Sequence, residues 1–461
     1  MKEFIISFLK SILHDPLLAV VFLVVMMGGV MWVFILSKLE KTAGLLEKST
    51  ICFFLFLACE VWVTPFIQLS PGRFAIIGRN ILAQALQFGL YATMFLILYP
   101  KIHMVWKNRA AISKDRFLWI LLVFVLTSTL WSIDPQVTLR SGLMLLVLTF
   151  FAVFLGVNYN WSEISSFFCL TLTIISFASV FIRHTTTGII FDMDGNPWTG
   201  QVWSKGVSGV AGDANALGPL MALNVLLWLA YIFNKGKYSW LATLPIMLSL
   251  ALLVLSNSKG ALAAFLLTVA ILILLNILRR FEHNFFLILV ILSVWLAAGL
   301  LVLVARNLEL LLGFWGRDLT LTGRTNLWIA LWERLVRPHL FFGSGYAAFF
   351  QAGRYVGINT RFIGRHIGLF ALGQAHNGFM GLLVDLGFVG LILFILSLFR
   401  NIIRAAKQFY YKKSTKSALF ISLLMFLIFI NITESNLLAL NIYWILYVWI
   451  SVCLSMKSLR A

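Results

Sequence analysis

Three basic side chains stand where cationic and proton-transfer chemistry can meet an anionic substrate: Lys259 in SNSKGA (256–261), Arg324 in GRTNLW (323–328) and His376 in AHNG (375–378). Arginine suits recognition of phosphate or carboxylate, and a lysine in a tight turn can equally be just solvated. A histidine can accept a proton near neutral pH. The combination points to an enzyme acting on an anionic substrate, with no metal or other cofactor required. Arg140, Asn215, Trp328 and Asn377 are the further candidates for holding substrate.

The elements that must position these residues are membrane helices. Residues of the hydrophobic class make up 61% of the 461-residue chain and charged ones 11%, with a mean hydropathy of +0.96, which excludes a soluble fold. Apolar runs long enough to cross a hydrocarbon core of about 30 Å recur along the whole length. Spans are expected near 17–37, 51–67, 80–99, 117–131, 138–157, 164–183, 215–233, 239–256, 260–278, 285–305, 377–399, 417–433 and 438–455. The expected fold class is therefore all-α, a polytopic membrane bundle of about twelve or thirteen helices. Its expected organisation is residues 1–305 as N-terminal spans with a short outer loop at 184–214, a large outer-side loop at 306–376, and C-terminal spans at 377–461.

Lys and Arg number 36 against 17 Asp and Glu, a net charge of +19. In a membrane protein this reads as positive-inside bias, not nucleic-acid binding. Basic clusters at 101–116 and 400–416 mark cytoplasmic loops, and counting spans backwards places 184–214 and 306–376 outside. The second outer loop breaks the rule. It carries Arg306, Arg317, Arg324, Arg334, Arg337, Arg354, Arg361 and Arg365 against Glu309, Asp318 and Glu333, with no lysine. Arginine suits bidentate recognition of phosphate or carboxylate.

The segment ahead of the first span, with His14, Asp15 and Pro16, reads as an interfacial amphipathic lead and not a cleavable signal. Cys52, Cys59, Cys169 and Cys453 fall inside spans and read as packing residues, and no nucleotide-binding or zinc spacing is present.

Four outer constellations follow in order. LWSIDPQVTLRSG (130–142) forms a turn with Arg140 just inside the next helix, where it binds an anion or snorkels to the interface. The glycine-rich 199–218 segment ends with Asn215 at a helix start, whose amides can hold an anion. SNSKGA sets Lys259 at the beginning of a helix. GRTNLW, LFFGSGYAAFF (340–350) and AHNG complete the set, with the histidine capping a helix. Trp328 and the loop aromatics pack at the bilayer surface or stack on sugars.

Over roughly residues 120–450 the chain resembles the O-antigen ligases and bacterial polysaccharide polymerases. The resemblance rests on GDANALG (212–218), SNSKGA, GR followed by tryptophan, the GxGY segment, HNG before a glycine-bearing span, and TESNLL (433–438). It implies a glycosyltransferase that takes glycan from undecaprenyl diphosphate at the outer face of a bacterial inner membrane. Lys259 and Arg324 would then hold the diphosphate and His376 would serve the acceptor hydroxyl, with inversion at the anomeric carbon. Lys259 departs from the arginine that ligases carry, keeping the charge without the planar fork. SNSKGA, GYAAFF and TESNLL are closer to the polymerase branch. The implied partners are the lipid-linked donor, a lipid-linked repeat unit or lipid A core as acceptor, membrane lipid, and a chain-length regulator, with no nucleic acid.

Three other readings stand beside this one. His376 can serve only to order its loop. Asp192 and Asp194 offer a carboxylate pair for a metal-dependent transferase. A lipid-linked glycan flippase would instead gather its charges in a central cavity. His184, His339 and His366 read as solvated, while Glu60 and Asp385 are ionisable groups inside spans.

Overall fold

Apolar runs of bilayer length must close their backbone hydrogen bonds internally, and they do so as helices. The computed structural model describes residues 44–64, 67–69, 74–76, 94, 98–108, 114–181, 190–191, 197–198, 206–211, 213–233, 239–281, 324–350 and 374–456. Besides the short helix Ile102–Lys107, the α-helices among the described residues are α1 (Leu45–Leu57), α2 (Arg116–Thr127), α3 (Pro135–Asn158), α4 (Trp161–Phe181), α5 (Ala214–Phe233), α6 (Thr243–Leu255), α7 (Lys259–Leu278), α8 (Arg324–Leu331), α9 (Gly378–Lys412), α10 (Thr415–Thr433) and α11 (Ile442–Met456). Among the described residues six of these are long and apolar enough to cross a membrane, and Arg116–Leu130, Thr243–Leu255 and Ile442–Met456 are shorter apolar helices. The polytopic helical class is as expected. The expected spans near 17–37, 80–99 and 285–305 lie, wholly or but for isolated residues, outside the described residues.

One span is corrected. Helix α1 ends at Leu57, Glu60 takes a left-handed φ of 55°, and the chain continues as short antiparallel strands at Val61–Thr64, Ile67–Leu69 and Phe74–Ile76. The β-branched and aromatic VWVT run ahead of Pro65 favours extended backbone over a continued helix.

The chain divides into two compact units, each discontinuous in sequence: residues 1–106 with 158–265, and residues 107–157 with 266–461. In the first unit α5 packs on α4 and α6, and α1 packs on α4. Buried polar groups tie these helices, Asn224 Nδ2 donating to Ser249 Oγ at 2.9 Å and Trp228 Nε1 to Thr173 Oγ1 at 3.0 Å. In apolar surroundings such bonds act as glue between helices.

In the second unit α11 is buried along nearly its whole length. Asp115, 1% exposed, caps α2 and gathers Ser397 and Asn401 of α9 and Ser451 of α11. Helix α9 is broken at Gly387 (φ 62°), and the 340–345 segment completes the break. Ser344 donates through both N and Oγ to the Val384 carbonyl, and Gly345 N donates to that of Asp385. Phe388 N and Val389 N donate to Leu340 and Phe341. The apolar run begins at Phe379, so the break lies roughly 12 Å along it, where irregular backbone survives only if protein satisfies it.

A Cβ on Gly387 would stand 2.5 Å from the Phe341 carbonyl oxygen. Gly387→Ala should therefore lower stability by about 2–4 kcal/mol, from overpacking and the left-handed backbone together. Thermal denaturation of the purified protein would read the loss.

Candidate functional site

Glu434 sits where α10 ends. Its backbone turns to an extended conformation as the C-cap, and its carboxylate is turned inward with the side chain 7% exposed. Arg324, the first residue of α8, reaches this helix end. Its Nη1 donates to the Thr433 carbonyl and its Nη2 lies 3.1 Å from Glu434 Oε1. A cation is well placed at a helix C-terminus, where carbonyls lack partners. The other carboxylate oxygen, Oε2, lies 3.5 Å from His376 Nδ1. The geometry thus joins two of the residues singled out in the sequence through an acid that had not been.

The AHNG turn is held in place residue by residue. Trp328 Nε1 donates to the Ala375 carbonyl at 2.9 Å. His376 adopts a left-handed φ of 50°, and Gln374 Nε2 approaches its Nδ1 at 3.4 Å. Asn377, not His376, caps α9, because its short amide accepts from both Phe379 N and Met380 N at 3.0 Å. The same side chain donates to the Ile432 carbonyl, and Asn377 N donates to Ser435 Oγ. Gly378 lets the turn close on α10, since a Cβ there would overlap Asn431 Oδ1 and lie 2.9 Å from its Cγ. The TESNLL segment is tied in turn, Asn436 N donating to Asn431 Oδ1 and the Tyr346 hydroxyl to the Leu438 carbonyl. Burial, and then the nearby Asp385 carboxylate, hold the Tyr346 phenol well above its ordinary pKa, so it remains a donor.

Exposure grades across the cluster, with the His376 side chain at 33%, Arg324 at 14% and Glu434 at 7%. The imidazole is its open edge. Trp328 works as a tether here. Trp328→Phe keeps most of the ring packing and removes one hydrogen bond of about 1 kcal/mol. It should leave the fold intact and, by loosening the turn that carries His376, slow turnover several-fold at unchanged protein level.

Arg140 lies partly buried in the early turns of α3, behind the 128–135 turn that Trp131 Nε1 and Ile133 N fasten to the Phe342 and Ser344 carbonyls. Lys259 and Asn215 belong to the first compact unit. There the SNSKGA and GDANALG segments pack together, a Cβ on Gly218 standing 2.6 Å from Ser258 Cβ. Lys259 opens α7, where a cation opposes the helix dipole by about 0.3–1 kcal/mol. Helix α5 begins at Ala214, and Asp213 Oδ1 accepts from Asn215 N at 3.1 Å. The amide that Asn215 was expected to offer an anion thus already has a carboxylate. Arg334 and Arg337 lie on or just past the turn after α8, Arg337 pairing with Glu333 at 3.1 Å. Arg306, Arg317, Arg354, Arg361, Arg365, His184, His366, Asp192 and Asp194 lie outside the described residues.

Fold and site together define a class: a polytopic helical membrane protein with an arginine, a carboxylate and a histidine joined where its helices end. Residues 244–395 match the family model described as O-antigen ligase. The exopolysaccharide production protein ExoQ of Rhizobium meliloti (strain 1021) is 27% identical over 316 residues, covering 66% of this chain and 67% of that protein. The chain is thus similar to an O-antigen ligase domain and to a protein of exopolysaccharide production. The matched residues include Lys259, Arg324, Trp328, His376 and Asn377 and stop short of Glu434.

Proposed function

We propose that this protein is an inverting, metal-independent glycosyltransferase that takes an oligosaccharide from undecaprenyl diphosphate and transfers it to a sugar hydroxyl at the periplasmic face of a bacterial inner membrane. The observation that carries the reading is the convergence of Arg324 and His376 on one buried carboxylate, Glu434. A cation for a leaving group and a base for a hydroxyl are the two things such a transfer needs. In the step, the acceptor oxygen attacks the anomeric carbon while its proton passes to His376 Nε2. The bond to the diphosphate oxygen breaks with its electron pair, which Arg324 stabilises. Glu434 faces Nδ1, which leaves Nε2 free for the acceptor.

The preferred acceptor is another lipid-linked repeat unit, making the protein a polymerase. The relative named for exopolysaccharide production supports that choice. The match to the O-antigen ligase model supports the second reading, ligation of finished polymer to the lipid A core. Gel analysis of surface and lipid-linked glycans from a strain lacking the protein separates them. Single repeats accumulating on the carrier with no long polymer indicate polymerase. Long polymer retained on the carrier with a bare core indicates ligase, and an unchanged glycan profile overturns both.

A further inference from the structure

We propose that Glu434 is a positioning residue that changes partners: the donor diphosphate draws Arg324 away from it, and the released carboxylate then holds the imidazolium that His376 becomes during transfer. This rests on the polyprenyl-diphosphate reading above.

The geometry separates the two partners of Glu434, with Arg324 on Oε1 at 3.1 Å and His376 on Oε2 at 3.5 Å. Among the described residues these are the charged groups paired with it. While Arg324 is in place, the carboxylate is neutralised, and a neutral pair does little to hold a proton on the neighbouring ring. The 3.5 Å separation is longer than a tight charged hydrogen bond and leaves the carboxylate and the ring room to close on each other. A diphosphate offers more negative charge than one carboxylate and suits the guanidinium fork. Arg324 need not leave the site to meet it. Its second nitrogen is anchored on the Thr433 carbonyl, so the guanidinium can turn about that contact and give up Oε1 alone.

Glu434 would then be a buried anion whose remaining charged partner is His376, and an opposite charge at such range favours the protonated ring. The proton taken from the acceptor is held more firmly once donor is bound. Base strength is thereby coupled to occupancy of the leaving-group site.

The chain has seven histidines; diethyl pyrocarbonate reacts with neutral imidazole, and its reaction with His376 can be followed by mass spectrometry apart from that of the others. Purified full-length protein in nanodiscs is compared near neutral pH with and without undecaprenyl diphosphate, whose binding is measured in the same samples. The expected result is a reaction roughly three- to tenfold slower with lipid bound, and nearly unchanged by lipid in Glu434→Gln. Arg324→Gln should show the slow rate without lipid, and adding Glu434→Gln to it should restore the fast one. Binding with no slowing in wild type, or equal slowing in Glu434→Gln, overturns the partner exchange and leaves the donor assignment standing. No binding of the lipid at all overturns both.

Discussion

His376→Ala should lower glycan transfer by about 10²–10⁴-fold, the contribution of a well-placed general base, in membranes that still hold normal amounts of the protein. The imidazole is the exposed edge of its cluster and Arg324 continues to neutralise Glu434, so the substitution removes chemistry and spares the fold. Arg324→Ala is a different perturbation. It removes a cation from the leaving group, a loss of about 10²–10³-fold by analogy with the removal of one preorganised donor. It also strands a carboxylate that is 7% exposed, and breaking a buried pair by deleting one partner costs about 3–5 kcal/mol. Assays with a lipid-linked oligosaccharide, read by mass spectrometry of the product and paired with thermal melts, separate the two losses. His376→Ala should lose rate at unchanged melting temperature, whereas Arg324→Ala should lose both. Near wild-type transfer in both variants would remove these residues from the reaction.

The second large effect is expected far along the chain from this site. Asp115 accepts from Leu118 N through Oδ1, and from Ser397 Oγ at 2.9 Å, Asn401 Nδ2 at 3.0 Å and Ser451 Oγ at 2.8 Å through Oδ2. The Tyr447 hydroxyl joins Ser397 and Asn401, and Arg404 closes the group by donating to the Lys114 carbonyl and to Ser455. Asp115→Leu removes the shared acceptor and leaves buried donors without one, at about 1–3 kcal/mol for each that finds no substitute. A total near 3–5 kcal/mol is a large part of the stability of any domain. Heat inactivation in detergent should show a steep loss for Asp115→Leu and a smaller one for Asp115→Asn, which keeps the shape and one acceptor oxygen. Equal melting of Asp115→Leu and wild type would mean that this carboxylate does not tie α2 to α9 and α11.

Both carboxylates illustrate where reading along the chain falls short. Glu434 stands in TESNLL, a segment that carries part of the family resemblance, yet nothing local distinguishes an acid at the end of an apolar run from a solvated one. Its role depends on Arg324, 110 positions away, arriving on one side and His376 on the other. The available signal was scarcity, since 17 acids in 461 residues make each one beside a span unusual. Asp115 was hidden more deeply, because it lies in a basic stretch that reads as a cytoplasmic loop. Its partners come from two helices some 280 to 340 residues further on.

Local steric and hydropathy rules carried most of the rest. The spans from α2 to α7, α10 and α11 follow the apolar runs to within a few residues, since in lipid a run of that length has one way to satisfy its backbone, whereas α9 starts where expected and continues past the expected end at 399 and through the basic stretch to Lys412. Caps were legible in type and misplaced by one or two positions. Asn377 caps in place of His376, and Asp213 in place of Asn215, because only a side-chain oxygen in register with the first free amides can accept from them.

By itself the sequence determined that this is a helical membrane protein and where most of its helices run, and it singled out Arg324 and His376 as candidates, because hydropathy and short motifs are properties of single positions and short windows. Tertiary structure alone decided that the two meet at Glu434, that Trp328 and Asn377 hold the turn between them, and that Gly387 breaks a helix to admit residues 340–345. Each of these is a contact between distant segments, and its energy depends on burial and partner geometry that no single stretch of chain contains.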